Sequence, residues 1–477
     1  MVYIEYLCYN MQVQKQFIFS GGIDLMAHTI GTDLTQGNTG KQLLKFSVPF
    51  MLANLLQTVY NMVDTIVVGH FVGAEGLSAV STCGELVMLY TFIAIGFGGA
   101  GQTMIGQLIG AGKKEKINRT VGTLFTILFL VALLCTFFCF LTYGWQLKMV
   151  NLPDEAMDDG RNYFMVCAAG FIFIFGYNLV SSILRGMGDS KRPLYFVAIA
   201  SVVNLILDLI FVPVLGLGTA GAALATVTGQ AVSFICALVY LYRRREAFGF
   251  DFRLPSFKPH KETAASIIRL GIPMSAQGGL ICISLLYVCS LINAFGVAAS
   301  AANGITLKLN SITRIVTQAM GTSSGAMIAQ CVGAQRYDRA KEVFNWSMLI
   351  NVSFTALCAL ALFFFHDQIF SIFNTDADVI AYASVYMIYG MLDYLAAGIR
   401  SPFNAIVNGT GAAALGMAAS IIDGVVARIG FSFFFGNILG MGVSGYWLGN
   451  MLASFMTMVI TLPYYVSGRW MRRKRLV

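Results

Sequence analysis

Charged side chains are scarce in this sequence. Asp, Glu, Lys and Arg supply 11% of the 477 residues, whereas soluble domains carry about a quarter. Hydrophobic residues supply 57% and the mean hydropathy is +0.72, which excludes an ordinary soluble domain and indicates a polytopic membrane protein. None of the four histidines lies in the middle of an apolar segment, and no metal set or activated serine stands out. These absences argue against an intramembrane enzyme.

Other signatures are missing as well. The ten cysteines lie mostly in apolar runs without a C-x-x-C spacing, so no disulfide or metal role is expected. The G-M-G within 185–189 lacks the spacing of a nucleotide-binding loop, and no cofactor is expected. Basic residues occupy short turns, so no nucleic-acid surface is predicted. The first forty residues do not resemble a signal peptide, and Met1, Met11 or Met26 could be the start.

Twelve apolar segments, each long enough to cross a bilayer as a helix, follow one another along the chain. They predict an all-α polytopic membrane protein with twelve transmembrane helices in the lipid bilayer. The second and eighth segments are long and glycine-rich, so we expect them to extend past the bilayer or to kink. The segments cover roughly residues 44–70, 76–107, 120–143, 162–185, 193–214, 219–242, 265–292, 298–330, 343–365, 380–406, 411–435 and 441–466.

The chain also contains an internal repeat, because landmark residues recur at a shift of 223 or 224 positions. Examples are Gly73 and Gly296, Gln107 and Gln330, Gly186 and Gly409, and Pro49 and Pro273. Six segments per copy is an even number, so two parallel six-helix repeats around a central cleft are predicted. The predicted regions are an N-terminal tail (1–40), an N-lobe (41–242), a cytoplasmic linker (243–264), a C-lobe (265–466) and a basic cytoplasmic tail (467–477).

Charge differs between the two sides of the predicted membrane domain. Basic residues follow the second, fourth, sixth and eighth segments and close the chain, whereas the opposite turns hold chiefly acids. Short basic loops remain on the cytoplasmic side of membranes. Both termini are therefore predicted to be cytoplasmic.

An acid interrupts the first apolar segment. Asp64 follows Gln57, Tyr60 and Asn61, and a carboxylate in hydrocarbon is costly enough that it should face a cavity or a partner. Burial favours its protonated form, and a group that exchanges a proton near neutral pH suits ion-coupled transport. Pro49, roughly four turns earlier, removes a backbone donor and allows the helix to bend.

A second acid lies in the fifth segment. Asn204 and Asp208 are four residues apart and share one helix face. Asp64 and Asp208 each follow a proline, Pro49 or Pro193, by 15 residues, which predicts a similar depth. If these faces meet, two carboxylates and an amide form one site for a proton or Na+. The alternative is that neighbouring hydroxyl or backbone groups cap each acid separately.

The second copy does not preserve these side chains. At a shift of 224, Asn204 aligns with Arg428 and Asp208 with Ser432, so the coupling site is predicted in the N-lobe. The acids of the C-lobe have arginines nearby and are interpreted chiefly as inter-helix ion pairs, with a second ion site as the alternative. These residues are Asp393, Asp423, Arg400 and Arg428.

Several motifs occur in a fixed order: P-x(14)-D-x(4)-G from Pro49, A-E-G-L-S-A-V-S from Ala74, Q-L-I-G-A-G from Gln107, R-G-M-G-D-S from Arg185, N-L-I-L-D from Asn204 and G-T-A-G-A-A-L-A from Gly218. Together with the repeat they resemble the multidrug and toxic compound extrusion (MATE) family over about residues 40–466. The pattern is more similar to the bacterial DNA-damage-inducible and MepA-like branch than to the NorM-like branch, because residues 265–293 contain no acid.

The resemblance implies an antiporter of the bacterial inner or plasma membrane that exports cationic amphipathic drugs or toxins, driven by inward H+ or Na+. We expect it to act as a monomer. The family's ion-coupling site falls on Asp64, Asn204 and Asp208, and its helix bend on Pro49. The expected substrate-cavity residues are Gln57, Tyr60, Asn61, Tyr163 and Thr226.

A lipid-linked oligosaccharide flippase of the same superfamily is the alternative function. Such a protein should line its cavity with arginines that hold a pyrophosphate. The acids of the N-lobe favour cations instead, while Arg314, Arg400 and Arg428 keep the flippase open as an alternative.

Overall fold

The structure is a computed structural model that describes residues 31–374, 376–473 and 475–476. The three candidate start methionines, most of the predicted N-terminal tail and Lys474 of the predicted basic tail lie outside the described residues.

Twelve long helical elements account for most of the described chain, and they coincide with the twelve predicted segments. The first half contains α1 (Thr39–Phe71), α2 (Ala74–Gly110), α3 (Ile117–Met149), α4 (Met157–Ala169 and Phe171–Gly186), α5 (Lys191–Phe211) and α6 (Gly218–Arg243). The second half contains α7 (Lys261–Asn293), α8 (Val297–Gly333), α9 (Tyr337–Phe373), α10 (Ala377–Gly409), α11 (Ala413–Ile438) and α12 (Val443–Val466). Short helices at Lys114–Lys116, Asp154–Ala156, Arg245–Phe248 and Leu254–Phe257 connect them.

Within the described residues, ten helices are long and apolar enough to span a membrane, and α4 makes an eleventh if its two pieces, bent by 49°, form one span. The helix α8 is as long as α2, but it falls outside this set because it carries polar side chains such as Asn303, Lys308 and Arg314. Both α2 and α8 are continuous helices of 37 residues, which agrees with the expectation that they are over-long.

The helices α1 and α7 each pass from one half of the protein to the other. Near its start, α1 buries Leu43, Phe46 and Phe50 in the hydrophobic core of the second half, whereas Val67 and Val68 belong to the core of the first half. The repeat-related helix α7 does the reverse. Its start packs in the first half through Ile267 and Leu270, and its end packs in the second half through Val288 and Ile292.

A proline lies near the start of both helices, before each one crosses to the other half. Pro49 and Pro273 are buried inside helices that remain continuous around them. A proline leaves the carbonyl group four residues earlier without its helical donor, so each helix has a weak point ahead of the place where it changes partners. The structure shows the unbroken form of α1, and bending at Pro49 remains a prediction.

The two halves meet closely where α2 and α8 end, and we call this end of the protein the basic end because Lys113, Lys114 and Arg336 follow these helices. A Cβ atom at Gly110 would lie 2.0 Å from the carbonyl oxygen of Gln330, and one at Gly333 would lie 2.1 Å from that of Gln107. Only glycine permits such backbone contact between crossing helices.

Two repeat-related glutamines join the halves at this crossing. Gln107 Nε2 donates to the carbonyl oxygen of Gly409 at 3.1 Å, and Gln330 Nε2 donates to that of Gly186 at 2.9 Å. Their Oε1 atoms accept hydrogen bonds from backbone N–H groups of the two terminal segments. Gln330 Oε1 accepts from Leu34 at 3.1 Å, and Gln107 Oε1 accepts from Leu476 at 3.0 Å.

Candidate ion and substrate site

The structure brings Asp64, Asn204 and Asp208 together in the first half, as predicted from their positions in the sequence. α1 packs against α5, and the exposed fractions of the three side chains are 7%, 3% and 0%. The carboxylates of Asp64 and Asp208 are near enough to interact electrostatically. Because α5 is a regular helix over this stretch, Asn204 and Asp208 lie one turn apart on the same face.

The oxygens of this cluster lack hydrogen-bond donors among the described residues. Both carboxylate oxygens of Asp208, Oδ1 of Asp64 and Oδ1 of Asn204 are buried without a partner. Buried polar atoms are nearly always paired, and an unpaired carboxylate is especially costly. The alternative in which a neighbouring group caps each acid therefore does not describe Asp208. Such a set of oxygens can bind protons or a small cation.

Thr226 belongs to the same cluster. It lies on α6, and its Oγ1 accepts a hydrogen bond from Asn204 Nδ2 at 3.3 Å. This contact turns the Asn204 amide so that its oxygen, rather than its nitrogen, remains free. Thr226 therefore orients one of the oxygens in the site.

Tyr60 lies one turn before Asp64 on α1 and interacts electrostatically with both Asp64 and Asp208. Its hydroxyl accepts from Gln57 Nε2 at 3.5 Å and lies beside Gln230 of α6. Gln230 is a residue that sequence reasoning missed. Its Oε1 is buried without a donor among the described residues, so it adds an unpaired oxygen beside Tyr60.

The other predicted cavity residues lie around this cluster in different environments. Tyr163, on the first piece of α4, is 7% exposed and interacts electrostatically with Asp64. Gln57 and Asn61 are exposed on α1. The structure therefore places Tyr60 and Tyr163 beside the acids and Thr226 beside Asn204. Gln57 contacts the Tyr60 hydroxyl, and Asn61 is exposed.

Of the two second-half acids interpreted as ion pairs, Asp423 forms salt bridges, whereas Asp393 has a serine hydroxyl as its partner among the described residues. Asp423 is 0% exposed, and its Oδ1 lies 2.7 Å from Arg428 Nη2. Its Oδ2 lies 3.5 Å from Arg400 Nη1 and accepts from Thr457 Oγ1 at 2.9 Å. Asp393 Oδ1 accepts from Ser454 Oγ at 2.7 Å. The interpretation of Asp423 as an inter-helix ion pair is confirmed.

The fold and this site define a class of protein: a multi-pass helical membrane transporter built from two six-helix repeats. The sequence profile of the MatE family matches the chain twice, over residues 49–210 and 273–434. The chain therefore belongs to the MatE family, whose members include multidrug efflux transporters. The two matches start 224 positions apart (273 minus 49), which is the shift that relates Pro49 to Pro273.

Relatives extend over nearly the whole chain. The chain is 28% identical to the probable multidrug resistance protein YpnP of Bacillus subtilis, over 93% of this chain and 98% of that protein. It is 23% identical to the multidrug export protein MepA of Staphylococcus saprophyticus, over 81% of this chain and 85% of that protein, which agrees with the predicted MepA-like branch. An outward-facing crystal structure of a multidrug resistance MATE transporter shares the fold, with a TM-score of 0.85, 22% identity and coverage of 94% and 100%.

Proposed function

We propose that this multidrug-efflux family member is an antiporter that exports cationic amphipathic compounds in exchange for H+ or Na+. The observation that carries the proposal is the pair of buried carboxylates, Asp64 and Asp208, because both oxygens of Asp208 and Oδ1 of Asp64 lack donors among the described residues. Like charges in a poorly solvated site repel each other, and a proton or a cation relieves that repulsion. The site therefore binds either species, but not both at full strength.

Competition for one pair of carboxylates couples two movements. When a cationic compound occupies the site, the carboxylates need no proton or Na+, and when it leaves, the inward ion replaces it. Asn204 and Thr226 supply the neutral oxygens that a small cation requires in addition to the acids. Tyr60 and Tyr163 contribute aromatic surface beside the acids, which suits amphipathic cations.

The helix α1 connects this site with the second half of the protein. Asp64 lies in its later part, which packs in the first half, whereas Phe46 and Phe50 pack in the second half. Bending at Pro49, which lies within the part that packs in the second half, changes the direction of the rest of α1 and with it the relation of the halves when the charge on Asp64 changes. This supports Pro49 as the point through which ion binding alters access to the site.

We further propose that the basic end faces the cytoplasm of a bacterial cell, so that both described chain termini lie on that side. The basic turns and both terminal segments meet at this end, where Leu34 and Leu476 contact the α2–α8 crossing. A protein closed at this end releases its substrate to the outside.

Transport by everted membrane vesicles tests the proposed function directly. Ethidium accumulation is followed after imposing a proton gradient and, separately, a sodium gradient. Accumulation with one gradient, and its collapse when an ionophore dissipates that gradient, identifies the coupling ion. If ethidium accumulates to the same extent without any gradient as it does with one, ion coupling is refuted.

The geometry weighs against the flippase alternative. Of the three arginines that kept it open, Arg428 is 2% exposed and, like Arg400, is paired with Asp423, so neither is free to hold a pyrophosphate. A pyrophosphate carrier also has no use for two buried acids, Asp64 and Asp208, in the other half of the protein.

A further inference from the structure

The charged cluster of the second half differs from the carboxylate site of the first half in one physical respect: its acid is fully paired. Asp423 forms salt bridges with Arg428 and Arg400 and accepts a hydrogen bond from Thr457. Asp208 has no hydrogen-bond donor among the described residues. Both acids are 0% exposed, so the difference lies in their partners and not in burial.

The two clusters lie at related places in the repeat. Arg428 is 224 positions after Asn204, and Asn450 is 224 positions after Thr226. In the first half, Asn204 donates to Thr226 from α5 to α6. In the second half, Arg428 Nη1 donates to Asn450 Oδ1 from α11 to α12. The same pair of helices therefore makes the same contact in both halves, with an arginine in the place of an asparagine.

A local change of helix type allows the arginine to meet an acid on its own helix. Residues Ile421–Ile429 of α11 form a π-helix, whereas α5 is a regular α-helix over its whole length. A wider turn brings residues five apart onto one face, which is the spacing of Asp423 and Arg428. π-Helical turns often occur at functional sites.

We propose that Arg428 is a tethered cation that permanently occupies the second-half counterpart of the ion site. Its guanidinium neutralises Asp423 and reaches Ser454, which in turn binds Asp393. With Arg400 beside Asp423, the cluster holds two acids and two bases. The inference rests on the proposed function: ion exchange is confined to the first half because the cation of the second half cannot leave.

A prediction about a latent site follows. Removing the guanidinium leaves the oxygens of Asp423, Asn450 and Ser454 around the space it filled, with Thr457 on the other oxygen of Asp423. Carboxylate, amide and hydroxyl oxygens are ligands for a small hard cation. Arg428→Asn therefore creates a site for Na+ or for methylguanidinium in the second half.

The test is thermal unfolding of purified protein in which the first-half site has been neutralised by Asp64→Asn and Asp208→Asn. In this background, we expect Tm to be the same in sodium, methylguanidinium and choline chloride at equal ionic strength. Adding Arg428→Asn should lower Tm by several degrees in choline, because a buried carboxylate loses its partner. Sodium or methylguanidinium should then restore most of the loss. Arg428→Lys, which keeps the charge, is the matched control and should show no cation dependence.

Two results overturn the proposal. The first is that the protein carrying Arg428→Asn has the same Tm in all three salts. The second is that sodium raises the Tm of the background protein, which retains Arg428, as much as it raises the Tm of the Arg428→Asn protein. If Arg428→Asn does not fold, Asp423→Asn is added. If the protein with both Arg428→Asn and Asp423→Asn folds and its Tm does not depend on the cation, the role of Arg428 is to neutralise Asp423, as proposed. If neither the protein with Arg428→Asn nor the protein with both changes folds, Arg428 acts by packing and the proposal is overturned. Because no transport is measured, the outcome is independent of whether the protein is an antiporter.

Discussion

Substituting Gly110 by alanine should force the two halves apart at the basic end. The added methyl group would lie 2.0 Å from the carbonyl oxygen of Gln330, while ordinary contact begins at 3.4 Å. The helices α2 and α8 must therefore separate by 1.4 Å (3.4 minus 2.0). That displacement is enough to break the hydrogen bonds that Gln107 and Gln330 donate across the crossing.

The cost can be worked out from these contacts. Overpacking costs about 1–3 kcal/mol, and the two lost hydrogen bonds cost about 1 kcal/mol each. Gly110→Ala should therefore disfavour the closed basic end by about 3–5 kcal/mol, which changes a conformational equilibrium by more than about a hundredfold. The matched control is Gly84→Ala on the same helix, because a Cβ there has nothing within 4 Å.

Two measurements check this prediction. Thermal unfolding should show a lower Tm for Gly110→Ala and an unchanged or slightly higher Tm for Gly84→Ala. Electron spin resonance distances between labels at Glu115→Cys and Asp338→Cys, repeat-related positions exposed at the basic end, should lengthen only in Gly110→Ala. All ten native cysteines are replaced by serine or alanine in these variants, because several of them are only partly buried and would also take the label. If Gly110→Ala and Gly84→Ala give the same Tm and the same distances, the close crossing does not hold the halves together.

Three further predictions follow from the site and the charge distribution. Asp208→Asn should raise Tm, because it removes a buried charge that lacks a donor among the described residues. Asp251→Asn, at an exposed site, is the control and should not raise Tm. A lower Tm for Asp208→Asn would show that the carboxylate has a stabilising partner. Thr226→Val should lower the free energy of unfolding by about 1–2 kcal/mol and weaken ion-dependent transport, because Asn204 Nδ2 loses its acceptor. Unchanged unfolding and transport would contradict the role of Thr226 in orienting Asn204. Lys258→Cys should resist impermeant maleimides applied to intact cells and react in everted vesicles, and the reverse pattern would invert the proposed orientation.

Much of the fold follows from local properties of the sequence. Apolar length predicted all twelve helical elements, and the shift of 224 predicted the two copies that the family profile matches. The grouping of Asp64 with Asp208 followed from their equal distance from a proline. Asp423 was predicted to be paired because arginines lie nearby, and the structure identifies Arg428 and Arg400 as the partners.

Other features depend on contacts that no local pattern encodes. Phe46 of α1 packs in the second half and Leu270 of α7 in the first, which depends on how two similar halves exchange neighbouring surfaces. Gln230 gave no signal because a single glutamine in an apolar helix has no motif. The π-helix at Ile421–Ile429, in which Asp423 and Arg428 pair five residues apart, departs from the regular helical period, so periodicity alone could not reveal it.

The central claim is that the carboxylates of Asp64 and Asp208 couple drug exit to ion entry, and the most direct test is gradient-driven ethidium transport in everted vesicles containing Asp64→Asn. Asparagine keeps the shape and removes the charge, so the protein should insert normally and lose gradient-driven accumulation. Asp208→Asn should behave alike, and the double variant should be little worse than either single one, because the two acids act as a unit. Transport by Asp64→Asn at the wild-type rate under a proton or a sodium gradient would contradict the claim.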